Sequence, residues 1–202
     1  MTVQPLPRRP RTRAAKLVIT GPFDAGKTTF VTTLAGSNVL TTEQRVTSED
    51  DHSSGRTTVA MDFGRIPLGD DLALSLFGTP GQQRFDFMWD ILAEGMLGYV
   101  MIVDASRDSC LPEARRIRRR FERFADVPSV VAINKCTGTP DTAVRRVRRE
   151  LELPPDLPVL AADARDLDDV KRVVVAVFEQ ALARLGATEG ERRHLGGLGD
   201  AG

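Results

Sequence analysis

The hydrophobic and polar positions along the chain predict alternating strands and helices. Short apolar runs are typical of parallel strands buried on both faces, and four occur, at 16–20, 98–104, 129–133 and 157–161. Apolar residues at helical spacing predict helices over 29–35, 111–124, 141–151 and 170–182. This alternation indicates an α/β fold with a doubly wound, mostly parallel sheet, in which ligands bind at the carboxyl ends of the strands.

Two segments of the amino-terminal half depart from that alternation. The stretches 58–68 and 72–77, separated by Gly69-Asp70-Asp71, predict an antiparallel hairpin. The preceding stretch, 38–57, is polar and has no sustained period, which predicts a long mobile loop. The mostly parallel sheet is therefore expected to contain one antiparallel hairpin strand.

One domain with two tails is expected from the 202 residues. Residues 1–13 carry three prolines and four arginines, and we interpret them as a disordered basic arm. Residues 14–185 are expected to form the domain, and residues 186–202, rich in glycine and charge, a flexible tail. No apolar run approaches the length that spans a membrane, so no direct membrane insertion is expected.

Composition narrows the class of protein. The hydrophobic content of 41% and the net charge of zero are ordinary for a globular protein and give no overall attraction to nucleic acid. Two cysteines far apart, Cys110 and Cys136, and an amino terminus without a signal peptide's apolar stretch predict a cytoplasmic protein with reduced thiols. With two histidines and no metal-ligand spacing, the chain offers little material for a hydrolase triad.

The segment Gly21-Pro22-Phe23-Asp24-Ala25-Gly26-Lys27-Thr28 fits the pattern G-x-x-x-x-G-K-[ST] of a phosphate-binding loop. Its glycines let backbone N–H groups turn toward phosphates, its lysine sets a charge against them, and its threonine hydroxyl binds Mg²⁺. A strand precedes the loop and a helix follows it, which is the context that this motif requires. The predicted nucleotide-binding residues here are Gly21, Asp24, Ala25, Gly26, Lys27, Thr28 and Thr29.

Four further motifs follow: Thr-Thr-Val-Ala-Met-Asp-Phe-Gly at 57–64, Phe-Gly-Thr-Pro-Gly-Gln-Gln-Arg-Phe at 77–85, Asn-Lys-Cys-Thr at 134–137 and Asp-Ala-Arg at 163–165. Together with the phosphate loop they resemble the small Ras-like GTPases, and among these the bacterial MglA-type and conservon (CvnD-type) proteins. The resemblance covers about residues 15–184. It implies a Ras-like P-loop fold, a cytoplasmic signalling role, GTP and GDP as ligands and Mg²⁺ as cofactor.

The resemblance assigns a role to each matching residue. Thr58 matches the switch-one threonine that binds Mg²⁺, Gly81 the switch-two glycine that meets the γ-phosphate, and Gln82 the glutamine that orients the attacking water. The positions that match the base-binding loops are Asn134, Lys135, Thr137, Ala164 and Arg165. The implied metal ligands are Thr28 and Thr58.

Three positions depart from the family pattern. Gly78 stands where an aspartate usually holds Mg²⁺ through water, a change that CvnD-type proteins share, and metal affinity and turnover are expected to suffer. Thr137 stands where a carboxylate reads guanine, which predicts a guanine preference lower by about one or two orders of magnitude. Phe23 stands beside the γ-phosphate, where its ring is expected to crowd Gln82. These changes predict a weak GTPase whose hydrolysis is slow or depends on a partner.

Aromatic residues crowd the second switch, and one helix cannot bury all of them. Arg84, Phe85, Phe87 and Trp89 are therefore predicted to form a docking surface. The resemblance implies a roadblock (longin-like) domain partner from the same operon, and any recruitment to the membrane periphery is expected to pass through partners. Arg56 and Arg84 are candidates for an arginine finger supplied by the chain itself.

Two alternatives to a GTP-binding regulatory switch stay open. The first is a degenerate pseudo-GTPase that no longer hydrolyses nucleotide and acts as an interaction module, with Gly78 and Thr137 as its signs. The second is a P-loop protein with relaxed base specificity that binds ATP. Single-turnover hydrolysis separates the first from the switch, and competition between GTP and ATP tests the second.

Overall fold

The computed structural model describes residues 13–46, 57–81, 87–124 and 126–196. The strands are β1 (Arg13–Thr20), β2 (Val39–Val46), β3 (Thr57–Leu68), β4 (Leu72–Gly78), β5 (Gly98–Asp104), β6 (Ser129–Asn134) and β7 (Val159–Ala161). The helices are α1 (Lys27–Ala35), α2 (Phe87–Ala93), α3 (Leu111–Phe124), α4 (Pro140–Glu150) and α5 (Leu167–Gly196). Apart from Arg13, the predicted basic arm lies outside the described residues.

The seven strands form one sheet in the order β2-β3-β4-β1-β5-β6-β7. Only β3 runs against its neighbours, since it pairs antiparallel with both β2 and β4 while every other described pair is parallel. The predicted mostly parallel sheet with one antiparallel hairpin strand is thereby confirmed. This order brings the carboxyl ends of β1, β5 and β6 to one edge, where the predicted binding loops begin.

The prediction of a loop over 38–57 is wrong for its first half. Residues 39–46 form β2, which pairs with β3 from Val39 opposite Gly64 to Val46 opposite Thr57. An edge strand with polar side chains has little apolar alternation, so backbone pairing rather than periodicity decides its conformation. Residues 47–56 lie outside the described residues.

Helices cover both faces of the sheet, and alternate residues of β1 pack against the helices on opposite faces. Leu17 and Ile19 face the layer of α1 and α5, where Phe30 is buried. Val18, between them, faces the layer of α2, α3 and α4, where Phe121 is buried. Successive strand residues point to opposite faces, so a continuous apolar run is what a strand covered on both sides requires.

The last helix is longer than the apolar stripe predicts. It runs to Gly196, past Gly186, where a flexible tail is predicted to begin. The extension includes alanine, glutamate and arginine, which are good helix formers, and hence needs no apolar face to continue. Within the described ranges, no helix combines the length and the apolar character needed to cross a bilayer.

Candidate functional site

The phosphate loop lies between β1 and α1 in the order that its motif predicts. Gly21 and Gly26 have φ angles of 143° and 108°, which favour glycine. A Cβ at Gly21 would lie 2.2 Å from the backbone oxygen of Ile102, and one at Gly26 would lie 2.3 Å from Nδ2 of Asn134. Both glycines are therefore needed where the loop presses against β5 and against the loop after β6. Strand, glycine loop and helix on a parallel sheet form the P-loop NTPase fold, as predicted.

Lys27 begins α1 and is held inside the loop that precedes it. Its Nζ donates to the backbone oxygens of Gly21 and Pro22, at 2.9 and 2.7 Å. Burial of the side chain lowers the pKa of Lys27 to about 8, although nearby carboxylates, foremost Glu113, act to raise it. The ammonium group is thus positioned at the predicted phosphate site, and its charge is sensitive to mildly alkaline pH.

Thr28 contacts a carboxylate that is not among the predicted site residues. Its hydroxyl donates to Oδ2 of Asp62 over 2.6 Å. Asp62 lies on β3, and the pairing of Phe63 with Phe77 places it opposite Gly78 on β4. Oxygen ligands of this kind are those that Mg²⁺ prefers, so the hydroxyl and the carboxylate fit the predicted ion.

Gly78 makes room for that carboxylate. A Cβ at Gly78 would lie 3.0 Å from Cβ of Asp62 and 3.2 Å from its Oδ2. The glycine at position 78, where the family pattern has a carboxylate, is therefore accompanied by a carboxylate on the neighbouring strand. The signal was present in the motif at 57–64, but only the strand register shows that Asp62 reaches Thr28.

Asn134, at the end of β6, joins three loops. Its Nδ2 donates to the backbone oxygen of Ala25, at 3.0 Å, and its Oδ1 accepts from the backbone N–H of Ala164, at 3.1 Å. The side chain is buried, so these bonds replace bonds to water. The tie between loops that the resemblance implies is present, and contact with a base stays a prediction.

Lys135 joins the loop after β6, which is predicted to bind the base, to the phosphate loop. Its Nζ donates to the backbone oxygen of Asp24 over 2.8 Å and lies 3.1 Å from Oδ2 of Asp104, at the end of β5. Asp104 was not predicted as a site residue. Burial acts to raise the pKa of Asp104, but hydrogen bonds from Ser106 and Lys135 outweigh it and leave the pKa lowered. Asp104 is therefore a buried anion that anchors the lysine at neutral pH.

Thr137 and Arg165, the remaining residues predicted to bind the base, lie close in sequence to Lys135 and Ala164. Thr137 is exposed, two residues beyond Lys135. Arg165 pairs with Asp163, at 2.7 Å, and this contact lowers the pKa of Asp163 to about 2. Arg165 is thus engaged within its own turn, next to the buried Ala164.

Gly81, predicted as the glycine of the second switch, lies against the phosphate loop. A Cβ at Gly81 would lie 2.8 Å from Cα of Phe23 and 2.9 Å from Nζ of Lys27. The Phe23 side chain is 61% exposed, so its ring points away from the core. Several predicted residues lie outside the described part of the chain: Arg56, Gln82, Arg84, Phe85 and the side chains of Thr58 and Phe87. Their predicted roles, including the crowding of Gln82 by Phe23, stay predictions.

Trp89 belongs to the core, which corrects its prediction as part of a docking surface. Only 1% of the residue is exposed, its ring centroid lies 5.9 Å from that of Phe121, and Nε1 donates to the backbone oxygen of Pro80 at 3.4 Å. Helix α2 turns Trp89 toward α3, while Ile91 on the same helix is 66% exposed. The aromatic run alone does not indicate which residue faces inward.

The chain is similar to a described protein family and to several individual proteins. A family described as "Conserved hypothetical ATP binding protein" matches residues 37–184, a range that begins after the phosphate loop. An uncharacterised protein of Methanocaldococcus jannaschii is 32% identical over 129 residues, which cover 63% of this chain and 75% of that protein.

The chain also resembles part of a translation factor. Translation initiation factor IF-2 of Rickettsia bellii is 31% identical over 141 residues, which cover 70% of this chain and 16% of the factor. For the same factor of Chloroherpeton thalassium, the identity is 30% over 158 residues, which cover 78% of this chain and 13% of the factor. The chain therefore spans only a small part of the length of these relatives.

Proposed function

Since the chain belongs to the family described as conserved hypothetical ATP binding protein, we propose that it is a nucleotide-dependent regulatory switch. It binds a nucleoside triphosphate with Mg²⁺ at the phosphate loop. The observation that carries this proposal is the assembly of Lys27, Thr28 and Asn134 at one edge of the sheet, with each side chain held by a named contact. Order in the loops at Thr58 and Gly81 then reports the bound nucleotide to a partner.

The chain's own oxygen ligands suit the metal. Thr28 contributes its hydroxyl, and Asp62 contributes the carboxylate that the family pattern places at position 78. When bound, Mg²⁺ supplies positive charge that offsets the negative charge of the phosphates. Lys27 adds a second positive charge from within the loop.

GTP is the proposed nucleotide, because Asn134 and Lys135 are held as a base-recognition pair would be. ATP is the second candidate, since Thr137 lacks the charge that reads guanine and the family is described as ATP-binding. Calorimetry of the full chain against GTP, GDP and ATP, with and without Mg²⁺, decides between them. If none of the three binds at about millimolar concentration, which corresponds to roughly 4 kcal/mol, nucleotide binding itself is wrong.

Hydrolysis is proposed to be slow or dependent on a partner, with Gln82 orienting the water. A Gln82→Leu variant is expected to lower the single-turnover rate of triphosphate hydrolysis about tenfold or more, because the leucine cannot hold the water. Its nucleotide affinity should match that of the unmodified chain. An unchanged rate would remove Gln82 from the reaction, and no hydrolysis by the unmodified chain would favour the non-hydrolysing interaction module.

Nucleotide affinity is expected to fall as the pH rises through 8, the pKa to which burial lowers Lys27. Bound phosphates favour the charged lysine, so binding takes up a proton above this pH, and affinity at about pH 9 should be about tenfold below that at neutral pH. Calorimetry in two buffers of different ionisation enthalpy measures both the affinity and the proton uptake.

A Lys27→Arg variant is the control for this pH effect. Whatever its absolute affinity, it should show no comparable fall, because the guanidinium stays charged throughout the range. Equal affinity of the unmodified chain at both pH values would show that Lys27 is charged before the nucleotide arrives.

A roadblock-domain protein is the proposed partner, docking beside the second switch at Arg84, Phe85 and Phe87. This proposal comes from the resemblance to MglA-type and conservon proteins. Pull-down with the triphosphate-loaded and the diphosphate-loaded chain tests it. Capture in the triphosphate state alone supports a switch, and equal capture in both states supports a constitutive interaction module.

A further inference from the structure

Arg107 lies in the loop between β5 and α3 and reaches across to the phosphate loop. Its Nη2 donates to the backbone oxygen of Phe23 at 3.0 Å and lies 3.5 Å from Oδ2 of Asp24. Its Nε donates to Oδ2 of the buried Asp104 at 3.0 Å. The guanidinium therefore bonds on two sides, although 40% of the side chain is exposed.

Lys135 approaches the same two carboxylates as Arg107. Its Nζ lies 3.1 Å from Oδ2 of Asp104 and 3.3 Å from Oδ2 of Asp24. Two cations therefore alternate with two anions in one closed group, which we call the charge clasp: Asp24, Asp104, Arg107 and Lys135. The clasp joins the phosphate loop, the end of β5 and the base-binding loop.

Asp24 is the member of the charge clasp whose negative charge the two cations have to offset. It has a φ of 61°, an unusual conformation for a residue with a side chain. Its negative charge acts to raise the pKa of the Lys27 ammonium group. An unpaired carboxylate at this place would repel a bound phosphate, and the two cations offset that repulsion.

We propose that Arg107 is a positioning residue that keeps Asp24 paired and the phosphate loop closed, and thereby sets the rate at which bound nucleotide is released. The inference rests on the proposed nucleotide binding. Phe23, whose carbonyl Arg107 holds, is also the residue that Gly81 of the second switch packs against. Losing the arginine frees the loop at its contact with the switch and exposes a negative charge beside the phosphates.

An Arg107→Gln variant is expected to release nucleotide about fivefold to tenfold faster than the unmodified chain, with a smaller change in association. Release is measured by stopped-flow displacement of the methylanthraniloyl derivative of GDP or ADP, whichever the unmodified chain binds. Arg146→Gln is the matched control, because Arg146 bonds to Ala105 and Asp108 in the same loop between β5 and α3 that carries Arg107. Its release rate should stay within about twofold of the unmodified rate.

The pairing with Asp24 is tested by a double-mutant cycle. In an Asp24→Asn background, the logarithm of the acceleration caused by Arg107→Gln should be less than half of its value in the unmodified background. The reason is that position 24 then has no carboxylate charge that loss of the arginine could expose. An Arg107→Lys variant keeps the charge and should release nucleotide more slowly than Arg107→Gln.

The outcomes separate the two proposals. If the unmodified chain binds neither derivative, the proposed function is wrong. If the unmodified chain binds a derivative and Arg107→Gln releases it at the unmodified rate, only the proposed role of Arg107 in the charge clasp is wrong. Acceleration by Arg146→Gln equal to that by Arg107→Gln would likewise overturn the clasp, since general loosening of the loop would then explain both.

Discussion

Replacing Asp62 by alanine is expected to remove most of the contribution of Mg²⁺ to nucleotide affinity. The carboxylate accepts a 2.6 Å hydrogen bond from Thr28, and the facing residue on β4 is glycine. Losing a charged partner of this kind should lower affinity in Mg²⁺ by about tenfold to a hundredfold. Affinity in the presence of a chelator should change little, and calorimetry under both conditions measures the difference.

The reciprocal exchange makes this prediction specific. In the Asp62→Ala/Gly78→Asp double variant, the carboxylate moves to the neighbouring strand, and part of the Mg²⁺ dependence should return. Gly78→Asp alone should not improve binding, because its Cβ would lie 3.2 Å from Oδ2 of Asp62 and a second negative charge would be added, both of which the double variant avoids. Asp70→Ala, in the exposed turn between β3 and β4, is the control. Full Mg²⁺ dependence in Asp62→Ala would exclude this carboxylate from the metal site.

Truncating Trp89 to alanine is expected to lower the free energy of unfolding by about 3–5 kcal/mol. The ring is buried against Phe121, and Leu92 and Ala93 of the same helix belong to the same core cluster. A salt bridge between Asp90 and Arg120 also joins α2 to α3, but it is exposed and contributes little by comparison. Urea denaturation followed by circular dichroism measures the change. Lost partner binding in this variant would thus report a loosened helix rather than a missing docking contact.

Ile91→Ala is the matched control on the same helix. Since Ile91 is 66% exposed, its truncation should change the free energy of unfolding by less than about 0.5 kcal/mol. A Trp89→Ala chain as stable as Ile91→Ala would mean that α2 does not pack on α3 in solution.

The sequence by itself determined those elements in which local requirements restrict the residue type at each position. A strand buried on both faces, such as β5, must be apolar at nearly every position, so its run shows in the sequence without knowledge of its neighbours. The phosphate loop is determined in the same way, because backbone angles at Gly21 and Gly26 restrict the residue type locally. The roles of Asn134 and Lys135 were predicted from the resemblance of their motif to the Ras-like GTPases, and their place at the end of β6 agrees with it.

The tertiary structure decided what depends on residues far apart in the chain. The strand register alone sets Asp62 opposite Gly78, so the departure at Gly78 and the carboxylate beside it could not be connected from either position by itself. Edge strand β2 exists through its pairing with β3, and Trp89 is buried because α3 lies over it. Arg107 is one arginine among many until the fold brings it to Asp24. Each is a contact between segments whose separate sequences carry no sign of the other, because pairing and packing energies arise only when both are in place.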